Sequence, residues 1–229
     1  MSACTICGDT GWLRRDDGSG LAKPCRCELE RRAQKRAREL RSASGVSDAI
    51  YNRLTFEAFD ASKTVDPRCD MARIKAACEA FAAEPHGWLV LMGSYGTGKT
   101  HLVYAIAGAL LQRAVPVYAA SVPEMLTMVR NGFSDAQGLS AEQRLTALRT
   151  VEVLVLDDWG TERGSDWVSE TLFSVLNARY NDRLATVVTT NLAPKTLAER
   201  DGRLASRLLD RDLSQWHVLL AGDYRQRRG

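Results

Sequence analysis

No apolar run in this 229-residue chain approaches the roughly 18 residues needed to cross a bilayer, and the N-terminus, MSACTICGDT, lacks the basic-then-apolar layout of a secretory signal. A cytoplasmic protein with no membrane partner is expected. Net charge is also scarce: 31 Lys and Arg against 28 Asp and Glu leave +3, which by itself requires no nucleic-acid partner. The three histidines, His86, His101 and His217, are scattered, so they do not build a metal site together. With 45% apolar and 26% charged residues, disorder, collagen-like repetition and a fibrous rod are excluded.

What is present is unevenly placed. Residues 1 to 45 hold 10 basic and 6 acidic side chains, whereas the remainder holds 21 and 22, so the positive surplus is N-terminal. Four of the six cysteines fall in the first 27 residues, and a reducing compartment makes them metal ligands, buried small groups or reactive thiols before disulfides. That stretch has almost no hydrophobic periodicity and cannot build a core without a staple. ELERRAQKRARELRSAS, at 28–44, reads as a solvated helix. The apolar pattern changes near Gly45, so residues 1–45 are read as one unit and 46–229 as another.

Beyond that boundary, short apolar runs recur: GWLVLMG, VPVYAAS, VEVLVLDD, ATVVTTN and WHVLL. Between them lie segments with helical spacing, such as Leu102, Val103, Ile106, Leu110 and Leu111, or Val168, Leu172, Val175 and Leu176. Five buried strands alternating with helices predict an α/β fold with a five-stranded parallel sheet and helices on both faces.

GSYGTGKT, Gly93 to Thr100, fits G-x-x-x-x-G-K-[ST] directly after a predicted strand and before a predicted helix. Its glycines let consecutive backbone N–H groups of Gly93, Ser94, Tyr95, Gly96, Thr97 and Gly98 curl around phosphates. Lys99 reaches the β and γ phosphates, and the Thr100 hydroxyl completes Mg²⁺ coordination. His101 follows and reads as a packing or loop-orienting residue. In VEVLVLDDWG, Asp157 and Asp158 stand at a strand's carboxyl end, where open α/β sheets place ligands. Asp157 is the expected Mg²⁺ partner through water, and Asp158 the group that polarises attacking water. Asn191 ends the next strand, either to hold the γ phosphate and orient water or to make an Asx turn before Pro194. From its residues alone, RLASRLLDRD at 203–212 reads as a solvated helix face; a guanidinium there also suits the charge on a transferring phosphoryl group.

GxxGTGKTHL, the strand into DDWG, TTN and RLASRLLD together resemble the AAA+ ATPases, and within them the helicase-loader group of DnaC and DnaI, with the transposition helper IstB as a relative. YNRLTFEAFD, at 51–60, is similar to the connector preceding the ATPase core in that family. The resemblance implies a P-loop sheet ordered 5-1-4-3-2, with Asn191 as sensor 1 and Arg207 as a finger entering a neighbouring subunit's ATP site. It implies an ATPase, slow and partner-stimulated, that oligomerises with ATP and places a replicative helicase hexamer on single-stranded DNA. Two departures stand out. Glu usually follows the acidic strand-end Asp, whereas Asp158 is one methylene shorter, which leaves open a nucleotide-gated adaptor with little hydrolysis. Only 22 residues follow Arg207, too few for a C-terminal helical lid, so Arg225 in GDYR is the remaining candidate for the lid's arginine.

Cys4-x₂-Cys7 and Cys25-x-Cys27, 17 residues apart, suit a closed tetrahedral Zn²⁺ site whose metal supplies folding energy. Four free thiols and an iron–sulfur cluster are the alternatives. Zinc on four thiolates carries −2, which reduces the local surplus from +4 to about +2 and weakens a dedicated DNA-binding role for this segment. The loader resemblance assigns the module, with its basic helix, to helicase contact, whereas IstB-like transposition helpers typically lack a cysteine-bearing head. Cys69 and Cys78 read as structural, and Trp12 and Trp159 as packing residues.

Overall fold

The computed structural model describes residues 4–14, 21–63, 69–132, 138–160 and 165–220, except the side chains of 33, 34, 36–41 and 63. Arg225 lies outside the described residues. Two three-residue strands, β1 (Trp12–Arg14) and β2 (Ala22–Pro24), pair antiparallel and lead into helix α1 (Arg26–Ala43). The absence of hydrophobic periodicity in this stretch fits such a hairpin, because strands this short carry no readable period.

The connector forms α2 (Asp48–Arg53) and a short 3₁₀ turn at Ala61–Lys63. Alternating strands and helices follow: α3 (Met71–Ala83), β3 (Trp88–Gly93), α4 (Lys99–Gln112), β4 (Val117–Ser121), α5 (Val122–Asn131), α6 (Ala141–Thr150) and β5 (Val153–Trp159). The described chain ends with α7 (Asp166–Asn181), β6 (Ala185–Thr190), α8 (Pro194–Arg200), α9 (Gly202–Leu208) and β7 (Ser214–Leu219). The order β4-β5-β6-β3-β7, with every neighbouring pair parallel, is the expected 5-1-4-3-2 sheet seen from its other edge.

Side chains alternate across the sheet and build two cores. Leu89, Leu91, Val155 and Val187 pack with α3 and α4, whereas Trp88, Val90, Met92, Leu156 and Val188 pack with α5, α7, α8 and α9. Each fully buried Leu or Val contributes roughly 1.5–3 kcal/mol, which is why every β3 position before Gly93 is apolar. Serine caps start the helices: Ser121 with Glu124 and Ser140 with Gln143 form capping boxes, and Ser165 accepts from the Val168 amide. The Ser44–Val46 junction is itself packed. Ser44 O accepts from Ala119 N at 2.7 Å, and a Cβ on Gly45, at φ 75, would lie 2.6 Å from Ala119 O.

One buried charge ties the helical layer to the sheet. Arg179 of α7 has no exposed surface and donates to Leu148 O, Val151 O, Ala185 O and Thr186 Oγ1, so it caps α6 and binds the starts of β5 and β6. Burial pushes its guanidinium down to about 10, which leaves it protonated at neutral pH. Arg179→Met fills similar volume but strands those acceptors. We expect a loss of about 2–4 kcal/mol in urea denaturation, with the slope of the transition unchanged.

Candidate nucleotide site and cysteine cluster

At the carboxyl ends of β3, β5 and β6 lies a cavity of about 500 Å³ lined by Tyr95–His101, Asp158 and Asn191. Unlike α5, α6 and α7, helix α4 has no side-chain cap: its N-cap is Gly98, at φ 94, and Gly98, Lys99 and Thr100 line the cavity. A helix start left this way is an anion site, because unpaired N–H groups and the helix dipole act in one direction. Gly98 cannot be replaced cheaply, since a Cβ there would lie 2.8 Å from the Phe59 ring.

Lys99 is buried, and its Nζ donates to Gly93 O at 2.9 Å, Ser94 O at 2.8 Å and Asn191 Oδ1 at 2.7 Å. Asn191 Nδ2 is buried without a hydrogen-bond partner. A buried amide donor beside an ammonium, both at the mouth of an uncapped helix, suits an anionic oxygen that accepts from both. These residues therefore fit a nucleotide phosphate. Thr97, also fully buried, closes the loop by donating to Ser94 O at 3.0 Å. Tyr95 is exposed at the loop's tip.

The acidic pair sits on a bulge. Leu156 pairs with Val188 and Trp159 with Thr190, so Asp157 and Asp158 together face Thr189. Asp158 takes φ 56, a left-handed conformation that Asp tolerates better than most residues, and it lines the cavity. Asp157 is buried beneath it. Desolvation raises its carboxyl; the Thr189 hydroxyl opposes this, Asp158 adds to it, and Thr100 and Lys99 oppose it. A buried carboxylate with the Thr100 hydroxyl placed to favour its charged form is the donor set that a hard, oxygen-seeking cation such as Mg²⁺ uses. Trp159, just past the pair, is buried in the core.

The connector supplies a wall that motif reading did not resolve. Arg53, Leu54, Ala58, Phe59 and Asp60 line the same cavity. The Phe59 ring meets the His101 ring edge-on at 5.2 Å, and His101 Nε2 lies 2.8 Å from Thr55 O, so the His101 ring contacts the connector at two points. The signal available in sequence was the YNRLTFEAFD stretch, without a role for any one residue.

A family model described as "IstB-like ATP binding protein" matches residues 25–228. The chain belongs to this family. XkdC, a protein of the phage-like element PBSX in Bacillus subtilis, is 29% identical to this IstB-like chain over 96% of it and 82% of XkdC. The replicative helicase loader DnaI of Bacillus subtilis is 32% identical over 55% of this chain; the aligned region spans 42% of DnaI. A crystal structure of DnaI superposes with a TM-score of 0.60 at 26% identity, covering 78% of this chain and 93% of that one. The AAA+ sheet order and phosphate loop belong to this family's fold.

Arg207 of the IstB-like chain stands apart from the residues lining the cavity. It lies half-buried on α9, where Nε and Nη2 donate to Asn177 Oδ1 at 3.0 and 2.6 Å, and its guanidinium lies 4.8 Å from the Phe173 ring centre and 5.4 Å from that of Tyr180. Arg203, one turn earlier, pairs with Glu170 at 3.0 Å.

The four N-terminal cysteines converge: the Sγ atoms of Cys4, Cys7, Cys25 and Cys27 all lie within 4.8 Å of one another. Ligand sulfurs on a tetrahedron with 2.3 Å metal–sulfur bonds are about 3.8 Å apart, and the Cys7–Cys27 and Cys4–Cys25 separations are 3.4 and 4.0 Å. The cluster can hold a metal ion. The β1–β2 hairpin makes it possible by bringing Cys25 N to Gly11 O at 2.8 Å, while the Gly11 amide donates to Cys7 Sγ at 3.4 Å. Desolvation opposes ionisation of Cys7, yet the Gly11 amide and neighbouring thiols bring it down to about 7; Cys27 is pushed up to about 12, chiefly by its hydrogen bond to Cys7. Cys69 and Cys78 are buried away from this group, and desolvation raises Cys78 to about 12, so it is an inert packing residue. Among the described residues, no helix is long and apolar enough to cross a membrane.

Proposed function

We propose that this chain is an ATP-dependent loader that grips a replicative helicase and places it on single-stranded DNA. The observation that carries the reading is the convergence of Lys99, Thr100, Asn191 and Asp158 on one cavity under an uncapped helix. The amides of Gly93–Gly98 and the Lys99 ammonium bind the phosphates, while Thr100 and Asp157 hold Mg²⁺. A bound Mg²⁺ would supply positive charge against the phosphates. Asp158 accepts a proton from the attacking water, and Asn191 holds the γ phosphate. Arg207 acts in a neighbouring subunit's site, so turnover requires assembly.

Residues 1–45 are assigned to the partner and 46–229 to the ATPase. Four thiolate donors in a tetrahedral set select Zn²⁺ or an iron–sulfur cluster, and a single closed ion fits four sulfurs this near one another. The family model begins at Cys25 and leaves out Cys4 and Cys7, which favours the loader over a transposition helper for the cysteine-headed chain.

Co-purification tests both parts together. The full chain is expected to carry about one zinc ion and to retain a replicative helicase on an affinity column. Cys25→Ala is expected to lose the zinc and lower helicase capture at least about tenfold, while Mg·ADP affinity stays within about twofold. Retention of a transposase in place of the helicase decides for the transposition helper. Full helicase capture by a zinc-free variant removes the module from partner binding.

A further inference from the structure

One buried hydroxyl touches both members of the acidic pair. Thr189 of β6 has no exposed surface; its Oγ1 donates to Asp157 Oδ1 at 2.6 Å and accepts from the Asp158 amide at 2.9 Å. A hydroxyl has one proton and two lone pairs, so these bonds commit its proton to one acid and a lone pair to the backbone of the other.

The bulge explains why both are needed. Where Asp157 and Asp158 together face Thr189, the strand register shifts, and the Asp158 amide donates to the Thr189 side chain. At φ 56, Asp158 sits in a conformation that persists only where its surroundings fix it. The other threonines nearby are used elsewhere: Thr190 donates to Trp159 O at 2.7 Å, and Thr186 donates to Leu184 O and accepts from Arg179.

We propose that Thr189 is the positioning residue of the acidic pair, holding the bulge so that Asp157 stays buried below the cavity while Asp158 is turned into it. The role rests on the ATP-hydrolysis reading but acts through geometry that nucleotide affinity alone does not test. A valine at this position keeps the β-branch and puts a methyl where the hydroxyl was, which removes both hydrogen bonds. Its effect therefore isolates the two hydrogen bonds.

The test compares full-length Thr189→Val and Thr189→Ser with wild type, using a fluorescent ADP analogue titrated with and without Mg²⁺, and steady-state phosphate release. Thr189→Val is expected to bind ADP without Mg²⁺ within about twofold of wild type, because the phosphate loop is untouched. It is expected to need at least about tenfold more Mg²⁺ for half of the metal's effect, and to lose about 10- to 100-fold in kcat with a much smaller change in KM. Thr189→Ser restores both hydrogen bonds and stays within about threefold of wild type. In the Asp157→Ala background, Thr189→Val adds little to the Mg²⁺ requirement, since the carboxylate that Thr189 holds is already gone.

Unchanged Mg²⁺ dependence and kcat in Thr189→Val, or equal damage in the serine and valine variants, overturns the proposal. If the valine variant fails to fold, Thr189→Ala takes its place, and equal behaviour of Ala and Ser overturns it likewise. A wild-type chain without Mg²⁺-dependent turnover defeats the hydrolysis reading instead, and the Mg²⁺ dependence of ADP affinity still reports on Thr189.

Discussion

Lys99→Ala is expected to weaken nucleotide binding at least about a hundredfold and to lower Mg²⁺-dependent phosphate release about a thousandfold. Lys99 is buried, and its three ammonium donors are committed to Gly93 O, Ser94 O and Asn191 Oδ1. A phosphate oxygen entering the cavity competes with these acceptors for a cation already in place, so little reorganisation is needed. The Asn191 Oδ1 bond to Lys99 also holds the Asn191 side chain, whose Nδ2 is the buried donor without a partner. Alanine therefore removes the positive charge and releases the neighbouring amide at once. It also leaves carbonyl acceptors of the loop without their donor, so Lys99→Met, which keeps the stem, separates loss of the charge from collapse of the loop. Circular dichroism confirms the fold, and a fluorescent ADP titration with a phosphate-release assay checks the prediction. Turnover within threefold of wild type in both variants ends the phosphate-loop reading.

The features readable in advance were those whose chemistry is local in sequence. The phosphate loop needs eight adjacent residues, and the apolar runs around Leu89, Val155 and Val187 are continuous because a parallel sheet is covered on both faces. The cysteine spacing likewise predicted a cluster that the hairpin then closed. What remained hidden depends on contacts between distant segments. The DD dipeptide carries no sign that Asp158 adopts φ 56, because the bulge comes from registration against β6. Nothing local in the sequence marks Arg179, whose donors meet carbonyls from the ends of three other elements. Phe59 and His101 are 42 positions apart, and only the folded connector shows that their rings meet. The substitution of Asp for the usual Glu also changes meaning here. A left-handed backbone rotates the shorter side chain toward the cavity, so reach is set by the bulge as well as by side-chain length.

Arg207→Ala is expected to leave ATP affinity within about twofold of wild type while lowering phosphate release per subunit about a hundredfold or more, and only at concentrations where subunits assemble. Arg207 is not among the residues that line its own subunit's cavity. Its guanidinium is instead oriented on the surface of α7 and α9: Asn177 accepts from Nε and Nη2, Arg203 O accepts from Nη1, and Phe173 and Tyr180 flank the plane. Tyr180 is fixed in turn by donating to Asp210 Oδ2 at 2.5 Å. A charged fork held this way has lost little freedom still to lose when it meets a phosphate, which is the condition for acting in trans. The concentration dependence separates this role from simple packing, since a destabilised α9 lowers turnover at every dilution. Lysine at the same position keeps the charge but not the planar fork, so Arg207→Lys is expected to recover little of the concentration-dependent rate. Turnover per subunit measured across a dilution series, with ATP saturating, decides the matter: if the alanine variant follows the wild-type curve throughout, Arg207 is a surface residue of α9 and the trans assignment is lost.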